Sequence, residues 1–197
     1  TEYINNTTLG GVNSGLPDNV QGSPYANEEF VIGKVFVNDQ APYSGILRYN
    51  AYQDGIEMKT EKGIITLLKR DYLRAEIAGK LYLIENYISN GAIRKTYFVE
   101  VSKGKARLLL KQGKKFVEER QATSSYSKDQ PAKFEDETSY YIITEGKPAI
   151  ETRLRTKDVL AALPEHNKEV AAFVKKNKLK MKTEEEVMQV LAYYNSL

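Results

Sequence analysis

Asn90-Gly91-Ala92-Ile93-Arg94-Lys95-Thr96-Tyr97-Phe98-Val99-Glu100-Val101 sets a turn signal directly before a strand-like run. Both central residues of a type I′ turn need positive φ, which Asn and Gly tolerate, so a tight hairpin is expected at 90–91. In the run that follows, Ile93, Tyr97, Val99 and Val101 share one side of a period-two strand. Arg94, Thr96 and Glu100 share the other, with Phe98 out of step. The expectation is a half-buried strand.

The same signals extend in both directions. Asp54-Gly55 reads as a second tight hairpin, and weaker punctuation falls at Asn38-Asp39, Lys62-Gly63, Gly79, Lys103-Gly104, Gln112-Gly113 and Glu145-Gly146. Turns separated mostly by about eight to sixteen residues leave room for ordinary strands and none for crossover helices. Ala106, Leu108 and Leu110 oppose Arg107, Leu109 and Lys111 in a further alternating run. Ile64-Ile65-Thr66-Leu67-Leu68 and Tyr140-Tyr141-Ile142-Ile143 are apolar on both sides, as central or covered strands are. About eight to ten antiparallel strands follow, more than a flat sheet holds comfortably.

After Leu154 the period becomes helical. Thr156 with Asp158 opens a short helix stopped by Pro164, and Asn167 is placed to cap a second that carries Val170, Phe173 and Val174. Thr183 and Glu186 form a capping box ahead of Val187, Val190, Leu191 and Tyr194. Helices this short are marginal alone and must dock. The fold expected is α+β and mainly antiparallel β: an up-and-down β-meander, as a curled sheet, half-barrel or barrel, capped by about three short C-terminal helices. Residues 1–26 read as a polar N-terminal arm, 27–155 as the meander and 156–197 as helices packed on it in one integrated domain.

Composition removes whole classes of chemistry. Among 197 residues there is no Cys, so no thiolate nucleophile, disulfide, zinc finger or iron–sulfur cluster. With 29 Lys and Arg against 26 Asp and Glu, the near-neutral balance argues against nucleic acid as the main partner, since binding a phosphate backbone demands concentrated positive charge. No apolar run approaches the ~18 residues of a transmembrane segment. The single His166 falls in an expected interhelical turn, away from any nucleophile. Asp129 with Glu135-Asp136-Glu137 lacks the spacing and central Gly of a calcium loop. No Gly-rich phosphate loop precedes a helix. No catalytic, cofactor or metal site is therefore assigned, although Asp54, Glu57, Glu76, Glu85 and Glu100 leave a carboxylate pair open.

Two features suit contact. Fourteen Tyr residues, rings with wet hydroxyls, are enough to build strands and supply a surface; Tyr126, in the polar loop 120–131, and Tyr140 and Tyr141 are candidates. Residues 168–182 set six lysines against Glu169 alone. The helix dipole accounts for Lys175 and Lys176, whereas Lys175, Lys176, Lys178, Lys180 and Lys182 together suit an anionic lipid or polysaccharide surface. At the other end, Thr1 opens an Asn- and Thr-rich stretch without Lys or Arg through residue 26. That pattern fits the region behind a removed export signal, and hence an extracytoplasmic, periplasmic or secreted, location.

Gln21-Gly22-Ser23-Pro24-Tyr25, Leu47-Arg48-Tyr49-Asn50 with Ile56-Glu57-Met58, and Leu191-Ala192-Tyr193-Tyr194-Asn195 give the chain its resemblance to uncharacterised exported proteins of Gram-negative bacteria. The resemblance implies an extracytoplasmic location and carries no activity. A meander followed by a helix also resembles lipocalin-type barrels, but there is no Trp for their Gly-x-Trp signature, and three tail helices are expected where lipocalins usually have one. The expected function is a non-enzymatic exported binding or interaction module that contacts a partner protein or envelope component. The alternatives are a lipocalin-like carrier of a small apolar ligand and a carboxylate-dependent hydrolase.

Overall fold

A computed structural model describes residues 4–5, 19–38, 40–122 and 129–197. Tyr126 and most of the expected N-terminal arm lie outside these residues. The protein is mainly antiparallel β with three short helices at its C-terminal end. It divides into two compact units, Thr1–Lys80 with Gln112–Thr138, and Leu81–Lys111 with Ser139–Leu197. These boundaries differ from those expected at 26 and 155.

The first unit contains β1 (Ile4–Asn5), β2 (Val31–Val37), β3 (Tyr43–Asn50), β4 (Gly55–Thr60), β5 (Gly63–Leu67) and β6 (Leu73–Ile77), in spatial order β1-β5-β4-β3-β2-β6. β2 to β5 form the expected meander, while β6 returns to pair with β2. β5 and β6 therefore run in the same direction at opposite sides of β2–β4. By the registers of these pairs, a flat sheet would put Leu67 and Leu73 roughly 33 Å apart, from interstrand spacing and residue rise. Six residue steps reach only about 20 Å. The sheet of this unit must curl, with Val35, Leu47, Ile56, Leu73 and Ala75 fully buried in its core.

The second unit is built on β7 (Lys80–Ser89), β8 (Ala92–Glu100), β9 (Ala106–Val117), β10 (Lys133–Thr144) and β11 (Ile150–Thr152), neighbours in sequence order. β9 and β10 also supply residues to the first unit, which is why the unit boundaries cut through strands. Here too the sheet curls: Ala149, just before β11, exchanges hydrogen bonds with β7 through Ile88 N–H (3.0 Å) and the Asn86 carbonyl (2.7 Å). One face carries Leu83, Tyr87, Phe98, Leu109, Tyr141, Ile143 and Ala149. The other, with Ala106, Leu108 and Ile142, is covered by α1 (Thr156–Ala161), α2 (Asn167–Lys176) and α3 (Glu184–Ser196) through Val159, Leu163, Val170, Met181, Val187, Val190 and Leu191.

Burial on both faces resolves the irregular alternation. Phe98 is fully buried, edge-to-face against Tyr87 (5.8 Å) and Tyr141 (5.0 Å). The strand expected to be half buried is instead closed on both sides from Thr96 to Val99, while Ile93, expected on its inner side, is 67% exposed.

The turns show which signals carry geometry. Asn90 and Gly91 both have positive φ, and Ser89 pairs with Ala92, so the two-residue hairpin is present. At Asp54-Gly55 only Asp54 does; Gly55 begins β4, and residues 51–54 form a four-residue loop. That loop is held by other bonds. The Asn50 side chain accepts from Gln53 N–H (3.0 Å), and the Pro24 carbonyl accepts from Ala51 and Tyr52. Gln112-Gly113 is no turn at all, since β9 runs straight through it. A Cβ on Gly113 would lie 2.8 Å from the Glu137 carbonyl, so this glycine marks a close backbone approach.

Helix ends differ in similar detail. Thr183 Oγ1 accepts from Glu186 N–H as expected, but the Glu186 carboxylate bonds to Lys180 and Lys182 N–H. Arg155, without a side-chain cap bond, precedes α1 in place of Thr156. His166, at φ 51, precedes α2, whose first residue Asn167 turns its amide to the Leu160 carbonyl.

Candidate functional site

An open cleft of about 840 Å3 lies within the second unit. β7 contributes Glu85 and Asn86, β8 contributes Ile93, β9 and the turn before it contribute Gly104, Lys105 and Arg107, and β10 with its following turn contributes residues 143–148. Because Ala106 and Leu108 turn toward the helices, Arg107 between them points to the opposite side of β9. There its guanidinium donates to Glu85 (2.5 Å) and to Glu100 (3.2 Å). Burial works against the Arg107 charge, but the bonds and charges of the two carboxylates outweigh it and raise its pKa. Lys105, Glu145 and Lys147 are exposed around this pair-locked centre. The cleft thus offers hydrogen-bonding groups and shape, and its strand carboxylate, Glu85, shares the Arg107 guanidinium with Glu100, which lies behind the cleft wall residues.

A second, smaller pocket of about 270 Å3 belongs to the first unit, with Asn50, Asp54, Glu57 and Lys69 in its wall. Its carboxylates are also engaged. Glu57, 4% exposed, accepts from Arg48 (2.7 Å) and from the Asn50 amide (3.0 Å). Asp54 accepts from the Tyr49 hydroxyl (2.8 Å) and pairs with Lys69. The Arg48 guanidinium stacks on Tyr25 (3.4 Å) and Phe30 (4.1 Å) and donates to the Glu28 carbonyl (3.0 Å). Tyr25, Arg48, Asn50 and Glu57, from three separated stretches of sequence, therefore meet in one clamp.

The proposed contact residues fall into different environments. Lys175, Lys176, Lys178, Lys180 and Lys182 are all exposed at the end of α2 and in the link to α3. Tyr141 is 4% exposed within the aromatic cluster and presents no surface. Tyr140 is half-buried and donates to Glu184 (2.8 Å); burial first, then Glu184, pushes its pKa up to about 12. It docks α3, because its ring packs among the helix residues. Tyr126 lies outside the described residues.

His166 sits exposed between α1 and α2, with its ring 6.2 Å from that of Tyr194. The acidic run is tied up in ion pairs: Glu135 with Lys133 (2.7 Å) and Lys115 (3.1 Å), and Asp136 with Lys114 (2.7 Å). Among the described residues no three His, Asp or Glu gather as a metal site would require.

The cleft was not legible in the sequence. Its residues share no spacing, and the one clue is Arg107 between Ala106 and Leu108 in an otherwise apolar run. Comparison with known protein families, with curated proteins and with solved structures finds no match to this chain.

Proposed function

We propose that the protein is a non-enzymatic, extracytoplasmic binding module that takes a polar ligand or a polar segment of a partner into the cleft of its second unit. One observation carries this reading: the cleft has the volume of a ligand site, yet its strand carboxylate, Glu85, is bound to Arg107, which also holds Glu100. A glycoside hydrolase needs one carboxyl free to donate a proton and another free to attack or activate water. Glu85 and Glu100 converge on a guanidinium instead. The apolar-carrier reading has weaker support, because Tyr87, Phe98 and Tyr141 fill one face of the second unit's sheet with mutual edge-to-face contacts. The extracytoplasmic location rests on the resemblance to exported proteins.

Native mass spectrometry of protein isolated from its own source tests the proposal. The expected spectrum shows a bound molecule or partner that is lost when Ile93→Glu or Lys147→Glu alters the cleft wall. A bare chain, or a complex indifferent to both substitutions, would sink it. Glycan hydrolysis abolished by Glu85→Gln would establish the hydrolase reading in its place.

A further inference from the structure

Lys175 and Lys176 occupy the last turn of α2, and Lys178, Lys180 and Lys182 follow in the link to α3. The link alternates in character. Lys178, Lys180 and Lys182 are exposed, Leu179 is half-buried, and Met181 is fully buried among the helices. Its backbone is pinned on both sides. Leu179 N–H donates to the Val174 carbonyl (3.1 Å) and Lys178 N–H to that of Lys175 (3.2 Å), the paired bonds of a Schellman helix end. Beyond them, the Glu186 carboxylate accepts from Lys182 N–H (2.8 Å) and Lys180 N–H (3.3 Å). Glu186 therefore bonds to the main chain of the lysines. Among the described residues, none of the five ammonium groups enters an ion pair.

Lys178 has φ 53 at the helix-end position where glycine is most readily accepted, so replacing it with glycine suits the backbone while removing one ammonium group from the edge.

We propose that these five lysines form a rigid docking edge for a bilayer rich in acidic phospholipid. Compact, hydrated ammonium groups without an arginine fork respond to charge density more than to the shape of a bound group. None of the five lines either cleft described above, and all five are exposed, so a planar anionic surface is the better complement. The apolar residues of the link turn inward, so the contact is electrostatic and does not insert into the hydrocarbon. This surface acts independently of the cleft.

Co-sedimentation with vesicles of mixed phosphatidylcholine and phosphatidylglycerol tests the proposal. Binding is expected at low salt, falling steeply as salt rises, with none to vesicles of phosphatidylcholine alone. A variant with all five lysines changed to Gln should lose it. A control variant with Lys34, Lys59, Lys62, Lys80 and Lys103 changed to Gln, the same change in net charge, should keep most of it. Lys178→Gly relieves the backbone and should raise Tm while weakening partition about five-fold; it keeps the test decisive if the quintuple variant fails to fold. Equal losses in the quintuple and control variants, unchanged partition of Lys178→Gly, or binding to soluble dextran sulfate with none to acidic vesicles would each overturn the proposal.

Discussion

The first unit fastens residues 21–30 over its curled strands with polar groups, Arg48 between two aromatic rings and across to Glu57, and with the carbonyls of Pro24 and Glu28. The second covers one face of β9 and β10 with three helices through Val159, Leu163, Val187, Val190 and Leu191, and adds polar bonds only at the margin. The margin is best seen at Asn195, whose side chain accepts from Ala106 N–H (2.7 Å) and donates to the Ala106 (2.9 Å) and Lys103 (3.4 Å) carbonyls. A buried charge pair is directional and fails badly when one partner goes; an apolar cap is tolerant and fails in proportion to the volume removed. The contrast is therefore measurable.

Glu57→Ala should have the largest effect. It leaves the Arg48 charge and the Asn50 amide without their carboxylate, at a cost of about 3–5 kcal/mol in urea unfolding. A loss below about 1 kcal/mol would mean that the pair behaves as a solvated one. Arg48→Met with Glu57→Leu should recover most of the loss, because replacing both ions removes the unpaired charge. If the double variant is no better than the single one, the clamp works through its aromatic stacking. Leu191→Ala should cost about 3 kcal/mol, within the usual range for a fully buried leucine. Asn195→Ala follows at about 2 kcal/mol, since the Ala106 backbone groups lose their partner. Smaller losses with faster hydrogen exchange at Ala106 would assign Asn195 a local role.

The smallest effect is a pH dependence. Bonds from Lys182 and Lys180 N–H hold the Glu186 carboxyl below the usual carboxylate range. A folded-state pKa below the unfolded one gives stability that is present above the unfolded value of about 4.3 and lost as pH falls through the folded value. Glu186→Gln should therefore lower Tm at neutral pH and flatten its decline between neutral and acid pH. An unchanged acid limb would show that the link is held by Met181 and the helix end instead.

Much of this architecture was legible wherever a local rule decides the geometry. Asn90-Gly91 was, because both positive φ values sit in the turn itself. So was the cap of α3, because Thr183 and Glu186 are three residues apart. Gln112-Gly113 was not: a glycine in a turn and a glycine passing a neighbouring carbonyl look alike until Glu137 is placed beside it. Phe98 breaks the alternation because its face is closed by Tyr141, on a strand distant in sequence, as well as by Tyr87 on the neighbouring strand, and the same closure removes Tyr141 from the surface. Of the candidate sites, the lysine edge is contiguous and could be read directly. The cleft is assembled from Glu85, Ile93, Arg107 and the turn after β10, and it exists only once the sheet has curled.

The hairpin at Asn90-Gly91 also offers a handle for engineering. A Cβ placed on Gly91 would meet no atom within 4 Å, so space outside the turn is open although its backbone is demanding. Ser89 and Ala92 sit opposite each other there and already hold two chain ends a strand spacing apart. New termini or an inserted reporter domain at this point would leave the β7–β8 ladder intact, provided the linker restores the turn's reversal, which makes 90–91 the first position at which to open the chain.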